Sequence, residues 1–263
     1  MISFVGAGPG AADLVTLRAV DRLAAADVVV WASSLVSPAL LEHCRPGVEV
    51  HDSKVMTLAD VTAVYDDHPG AAIVRLHSGD PSVYGAIGEQ IAWCIDEGRD
   101  FEIVPGVSSL AAAAAAAGRE LTAPGLAQSV VLTRLADRTA ASVPEGESVA
   151  AFARLGPTMA LFLSAARPDA LAAELSTVGS AYGPDTPVVI AHRVSWPDER
   201  LVHTTVARLA RDLREMGATT TVLVLVGEAL GSAGPPLPTH VYSAGYTHSF
   251  RVAHGAPEGP GHG

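Results

Sequence analysis

The feature that most constrains this chain's fold is an alternation in its first half, where short apolar runs are separated by stretches of helical length. Segments 2–5, 28–31, 48–51, 72–76 and 101–104 read as strands, and 14–25, 38–43, 58–67, 81–97 and 109–117 as helices. That order predicts a largely parallel sheet covered by helices. A second series follows, with strands expected at 129–132, 158–163, 188–192 and 221–226 and helices at 168–178 and 204–216. The predicted class is therefore α/β in two domains, each a mixed, mostly parallel sheet flanked by helices. Gly118 is a natural helix stop, and Pro124 and Gly125 mark a break. The expected division is 1–118, a linker at 119–128, a second domain at 129–231 and an extended Pro/Gly/His-rich tail at 232–263. Ala111 to Ala117 are seven consecutive alanines, which favour a helix and permit close backbone approach.

Composition excludes several functional classes. The net charge is −11 and Lys54 is the only lysine, so the clustered cations that neutralise a phosphate backbone are missing and no nucleic-acid partner is expected. No apolar run reaches the length of about 18–20 residues that a membrane helix requires, which predicts a cytoplasmic protein without membrane contact. Cys44 and Cys94 lack metal-ligand spacing and read as reduced thiols. No metal is expected, because H-E-x-x-H and C-x-x-C are absent; so is a G-x-S-x-G nucleophile elbow.

Three loops follow predicted strands. Gly6-Ala7-Gly8-Pro9-Gly10-Ala11 formally matches the dinucleotide fingerprint G-x-G-x-x-G/A. Two features count against a nicotinamide dinucleotide. Pro9 removes an amide from the loop, and Trp31-Ala32-Ser33-Ser34 brings no ribose-binding acid after the second strand. His77-Ser78-Gly79-Asp80-Pro81-Ser82-Val83-Tyr84-Gly85 lies at a strand's carboxyl end, where open α/β sheets place ligands. Asp80 and Pro81 there read equally well as the cap and first residue of a helix, or as part of a binding loop. Pro105-Gly106-Val107-Ser108-Ser109 repeats the pattern before the alanine helix. None of the three loops carries a lysine or a GK[ST] sequence, so a phosphate-rich ligand is disfavoured and an uncharged or zwitterionic one allowed.

In this order, Val5–Gly10, Gly79–Gly85 and Pro105–Ser109 resemble the V-G-x-G-P-G, G-D-P-x-x-Y-G and P-G-[VI]-S/T-S/A loops of the tetrapyrrole methyltransferase family. Within it, Ala32–Val36, Met56–Leu58, Arg75–Asp80, Gly118–Thr122 and Gln128–Arg134 look like the branch that methylates C11 of precorrin-4 or its cobalt form. The segment 242–251 resembles that branch's C-terminus, so the similarity spans about residues 1–251. One departure is Ala11-Ala12-Asp13, where relatives commonly carry Asp-Pro-Glu. Losing an acid at a helix N-terminus costs only about 0.3–1 kcal/mol, but it puts any catalytic use of that position in doubt.

The resemblance implies two α/β domains, a homodimer, and S-adenosylmethionine as methyl donor in the interdomain cleft. The tetrapyrrole is the small-molecule partner. Matching motifs assign the donor to Pro9, Ser78, Gly79, Asp80, Val83, Tyr84, Ser108 and Ser109, and strand alignment with the family adds Leu163, Ala191, Thr220 and Thr221 from the second domain. No catalytic acid or base is assigned, since methyl transfer requires mainly that nucleophile and donor be held in line. The substrate's acetate and propionate groups require local positive charge in an acidic protein, expected from Arg134, Arg119 and Arg138 with Lys54 and His77 as helpers. Sister methyltransferases acting on another ring carbon are the near alternative. An oxidoreductase using a nicotinamide cofactor, or a non-catalytic binding module, is the remote one.

Overall fold

A computed structural model describes residues 1–136, 143–144, 146–231 and 243–253. The first sheet contains β1 (Ile2–Gly6), β2 (Val28–Trp31), β3 (Glu49–Asp52), β4 (Ile73–His77) and β5 (Phe101–Val104), in the order β3-β2-β4-β1-β5. Every pairing is parallel. Such a sheet is covered on both faces, and β1, β2 and β4 are buried at nearly every position. On one face Val5, Val29, Val74 and Leu76 pack with Leu23 of α1 (Leu17–Ala25). On the other, Phe4, Val30 and Ile73 meet Tyr65 of α2 (Leu58–Asp67) and Cys94 of α3 (Gly88–Asp96).

The second sheet contains β6 (Val130–Arg134), β7 (Thr158–Phe162), β8 (Pro187–His192), β9 (Arg200–Thr205) and β10 (Val222–Val226), in the order β6-β7-β10-β8-β9. The α/β class expected from the sequence holds. This sheet is mixed, with β6 and β7 parallel and the other three pairings antiparallel. One face packs on α5 (Val149–Ala153), α6 (Pro168–Leu175) and α7 (Leu209–Met216). The other receives α4 (Ser109–Ala117), whose Ala113 is buried with Ala160, Ala191, Leu223 and Leu225. The alanine helix thus starts at a loop of the first sheet and lies on the second, with side chains small enough for close approach.

Several elements depart from the sequence expectation. The helix predicted over 81–97 begins only at Gly88, after turns in which Tyr84 and Ala86 take φ values of 56° and 51°. The stretch 14–25 divides into a 3₁₀ turn at Ala12–Leu14 and α1, which Thr16 caps by accepting the Ala19 N–H at 3.2 Å. Pro38–His43 is 3₁₀ rather than α. The start of the helix expected at 204–216 belongs to β9, and α7 begins at Leu209; α5 was not anticipated. Among the described residues no helix is long and apolar enough to cross a membrane. Most of the tail expected at 232–263, including Tyr242, lies outside the described residues.

Beside the sheet's outer strand, the Glu49 carboxylate bridges His51 Nε2 at 2.7 Å and His68 Nε2 at 3.1 Å, while His68 Nδ1 bonds the Val64 carbonyl at 2.8 Å. The carbonyl first, and Glu49 next, hold the His68 pKa above its ordinary value, and both histidines hold Glu49 below its own. A raised histidine pKa stabilises fully below the unfolded value of about 6.5, and that stabilisation disappears as pH rises through the folded value. The lowered Glu49 contributes above about 4.3 and is lost as pH falls. His68→Gln should therefore lose more stability against wild type at pH 5.5 than at pH 8.5, as urea unfolding at the two pH values will show; equal losses would exclude this linkage.

Candidate functional site at the facing edges of two sheets

Because the central strands lie in the order β4-β1-β5, the three glycine loops that follow them are neighbours in space. They are knitted by backbone bonds: Gly8 N–H donates to Gly79 O at 3.2 Å, Gly79 N–H to Gly8 O at 2.8 Å, and Ala7 N–H to His77 O at 2.8 Å. The approach depends on missing side chains. A Cβ on Gly6 would stand 2.5 Å from Gly106 Cα and 2.7 Å from Gly79 O, and Gly79 itself has φ 65°. The Asp80 carboxylate links the second and third loops, accepting the Ser82 N–H at 2.8 Å and the Gly106 N–H at 2.9 Å. This corrects its reading as a helix cap, since no helix starts there. Ser108 does cap α4, accepting the Leu110 N–H at 3.3 Å, and Ser109 is that helix's first residue.

Pro9, Ser78, Gly79, Asp80, Val83, Tyr84, Ser108 and Ser109 therefore share one rim of the first sheet. Pro9 and Gly79 are buried, Val83 and Asp80 partly so, and Ser78 and Tyr84 are exposed. From the second sheet, Leu163 follows β7 directly and Thr220 and Thr221 precede β10. β10 runs antiparallel to both β7 and β8, so its start lies beside their ends. Thr221 O accepts the Arg193 N–H at 2.9 Å across this edge. Ala191, near the end of β8, is buried in the cluster shared with α4.

The two rims face each other. The Tyr84 ring lies 5.3 Å from that of Phe162, and beyond β8 the Ser195 hydroxyl accepts the Ala11 N–H at 3.0 Å while Trp196 Nε1–H donates to Pro9 O at 3.1 Å. Among the described residues, the non-glycine positive-φ positions are Tyr84, Ala86, Leu163, Arg193, Ser195 and Thr221, all on these rims. Such conformations cost about 1–3 kcal/mol each and concentrate where function requires them. Phe162, Arg193, Ser195 and Trp196 were not singled out from sequence, although an isolated Ser-Trp-Pro after a strand is a legible sign of a built turn. Elsewhere, a shallow hollow lined by Leu126, Ser129, Phe152 and Pro157 holds no charged side chain.

The expected cations separate. Arg134, at the end of β6, pairs in register with Phe162, and its charge acts on the Tyr84 phenol, opposing the burial that raises that group's pKa. His77 is 7% exposed, and burial first and Arg75 second push it down to about 3; it is a neutral ring and brings no positive charge. Lys54 pairs with Asp52 at 3.2 Å beyond the outer strand β3, two strands from β4. Arg119 Nε–H donates to Leu230 O at 3.1 Å, by the opposite ends of β8 and β10, so it does not reach this rim. Arg138 lies outside the described residues.

Residues 1–210 match the family described as Tetrapyrrole (Corrin/Porphyrin) Methylases. The chain belongs to this family. A precorrin-4 C(11)-methyltransferase of Rhodococcus erythropolis is 42% identical over 245 residues, covering 92% of this methylase and 96% of that protein. A solved cobalt precorrin-4 methyltransferase superposes with a TM-score of 0.82 at 43% identity, covering 88% of this chain and 95% of the other. A uroporphyrin-III C-methyl transferase from Thermus thermophilus, complexed with S-adenyl homocysteine, gives a TM-score of 0.69 at 32% identity, covering 87% and 92%.

In this tetrapyrrole methylase Asp80 joins two loops, so Asp80→Ala leaves the Gly106 N–H without its acceptor in a half-buried position. Chemical denaturation should register a loss of about 1–3 kcal/mol. Wild-type stability would show that the carboxylate does not hold the loops together.

Proposed function

We propose that this chain transfers a methyl group from S-adenosylmethionine to C11 of precorrin-4, or of its cobalt complex, giving precorrin-5. The observation that carries the reading is the convergence of three glycine loops, opposite a strained second rim, in a chain 42% identical to a precorrin-4 C(11)-methyltransferase. The rim suits the donor. Gly6, Gly79 and Gly106 let backbone approach closely, none of the loops carries lysine or arginine, and Asp80 adds negative charge. These features fit a zwitterion bearing a sulfonium and disfavour a pyrophosphate.

S-adenosylmethionine, when bound, supplies a methyl carbon attached to positive sulfur and therefore open to displacement. The protein's part is to align the ring carbon within near-attack distance, which alone can supply roughly 7–11 kcal/mol of barrier lowering. Pro9, Gly79, Asp80, Val83, Ser108 and Ser109 would hold the donor from one rim, and Leu163 with Thr221 from the other. Tyr84 and Phe162 offer aromatic faces to a flat macrocycle, with Arg134 positioned for one of its carboxylates. No residue has to form a covalent intermediate. The same proposal places the enzyme in the cytoplasm as a homodimer.

The deciding experiment supplies methyl-labelled S-adenosylmethionine with metal-free and cobalt-containing precorrin-4, followed by carbon NMR. Label at C11 is expected; label at another carbon would assign a sister activity, and donor binding without turnover a binding module. Arg134→Ala should raise the tetrapyrrole KM about fivefold, equivalent to about 1 kcal/mol for a partly exposed ion pair, with donor affinity unchanged. An unaltered KM would remove Arg134 from the substrate site.

A further inference from the structure

The turn after β8 does more than close the second sheet. Its backbone is tightly wound, with Arg193 and Ser195 at φ 50° and 66°, and with Trp196 N–H donating to Arg193 O and Glu199 N–H to Trp196 O, both at 3.0 Å. Its side chains brace it: the Arg193 guanidinium binds Asp198 at 2.7 Å and lies 4.1 Å over the Trp196 ring, and Glu199 accepts the Ser195 N–H at 2.6 Å. What this rigid turn holds is the loop after β1. Trp196 Nε1–H donates to Pro9 O and Ser195 Oγ accepts from Ala11 N–H. A Cβ on Gly10 would overlap the indole ring.

These two bonds flank Gly10 and fix both of its peptide planes. A trans peptide points its C=O and its N–H in opposite directions, and this chain contains no cis bonds among the described residues. With Pro9 C=O turned to Trp196, the Gly10 N–H must point away from the turn. With Ala11 N–H turned to Ser195, the Gly10 C=O must point away as well. Both hydrogen-bonding groups of Gly10 are thereby presented on the loop's other side, by residues of the second sheet.

We propose that Trp196 and Ser195 are positioning residues, a latch through which the second sheet sets the peptide orientation of the first loop and so its affinity for the donor. The affinity half of this claim rests on the functional reading above. It also gives a physical use to Gly10, whose φ is not positive and whose lack of a side chain is required by Trp196 rather than by backbone geometry.

Two measurements test it. Trp196→Phe keeps an aromatic ring but removes the donor N–H, and Ser195→Ala removes the acceptor. Amide hydrogen exchange should accelerate about fivefold or more over residues 6–14 in both variants, with β2 and β3 unchanged. Unchanged exchange over the loop would overturn the latch whatever the ligand is. Titration with S-adenosylhomocysteine should then show Kd raised about tenfold, with the donor KM rising in parallel, and with kcat and the tetrapyrrole KM within twofold of wild type. A variant with a loosened loop but wild-type affinity would overturn the link to the donor. A wild-type protein that ignored S-adenosylhomocysteine would instead overturn the functional reading, and the exchange result would still decide the latch.

Discussion

The rest of the structure depends on the contact of three backbones at Gly6, Gly79 and Gly106. At that point the protein packs main chain on main chain, because a single methylene on Gly6 would meet Gly106 Cα and Gly79 O. The consequence is geometric. Loops following β4, β1 and β5 can share one rim only if their strands are adjacent, and they can touch only if none carries a side chain there. The same contact leaves peptide groups, rather than side chains, as the rim's main chemistry. Those groups are oriented by the fold and lose little entropy on meeting a ligand.

The second half of the chain solves a different problem with a different sheet. β8 and β10 are antiparallel neighbours, so an end of one and a start of the other meet on one edge without a crossover. That edge can then carry tight turns, and Leu163, Arg193, Ser195 and Thr221 sit in conformations a relaxed chain would avoid. Strain of this kind persists only where surrounding packing over-determines it. Here β7, β8 and β10 are buried almost throughout, and α4 ties the sheet to the first rim.

What the sequence made legible follows from this division. The central strands β1, β2 and β4 of the first sheet could be placed to within a residue because burial on both faces makes them largely apolar runs. β9, Arg-Leu-Val-His-Thr-Thr, was missed because only Leu201 and Val202 in it are apolar and its last two residues were read into the following helix. Asp80-Pro81 carried the chemistry of a helix start; one carboxylate oxygen does accept the local Ser82 N–H, but the other takes Gly106 N–H, in a loop that sequence order hides. The loops of the rim were legible as motifs, whereas their clasp by Trp196 was not, since a contact spanning 187 residues leaves no local pattern. The cations show the same limit. Arg119, Arg134 and Lys54 look alike in sequence, and only the sheet order separates the one beside Phe162 from those bonded to Leu230 O or paired with Asp52.

That separation bears on how an acidic protein can accept a polycarboxylate. The formal charge of −11 acts over the whole surface, but salt at cellular concentration screens it beyond about 8 Å. A carboxylate arriving at the cleft therefore responds mainly to the nearest side chains. Those near Tyr84 include Arg134 and the acid Glu147, whose charges act on its phenol in opposite senses, while His77 stays neutral because burial and Arg75 oppose its protonation. Under the proposed function, one arginine beside two aromatic faces would favour one orientation of a flat ring instead of gripping every carboxylate equally.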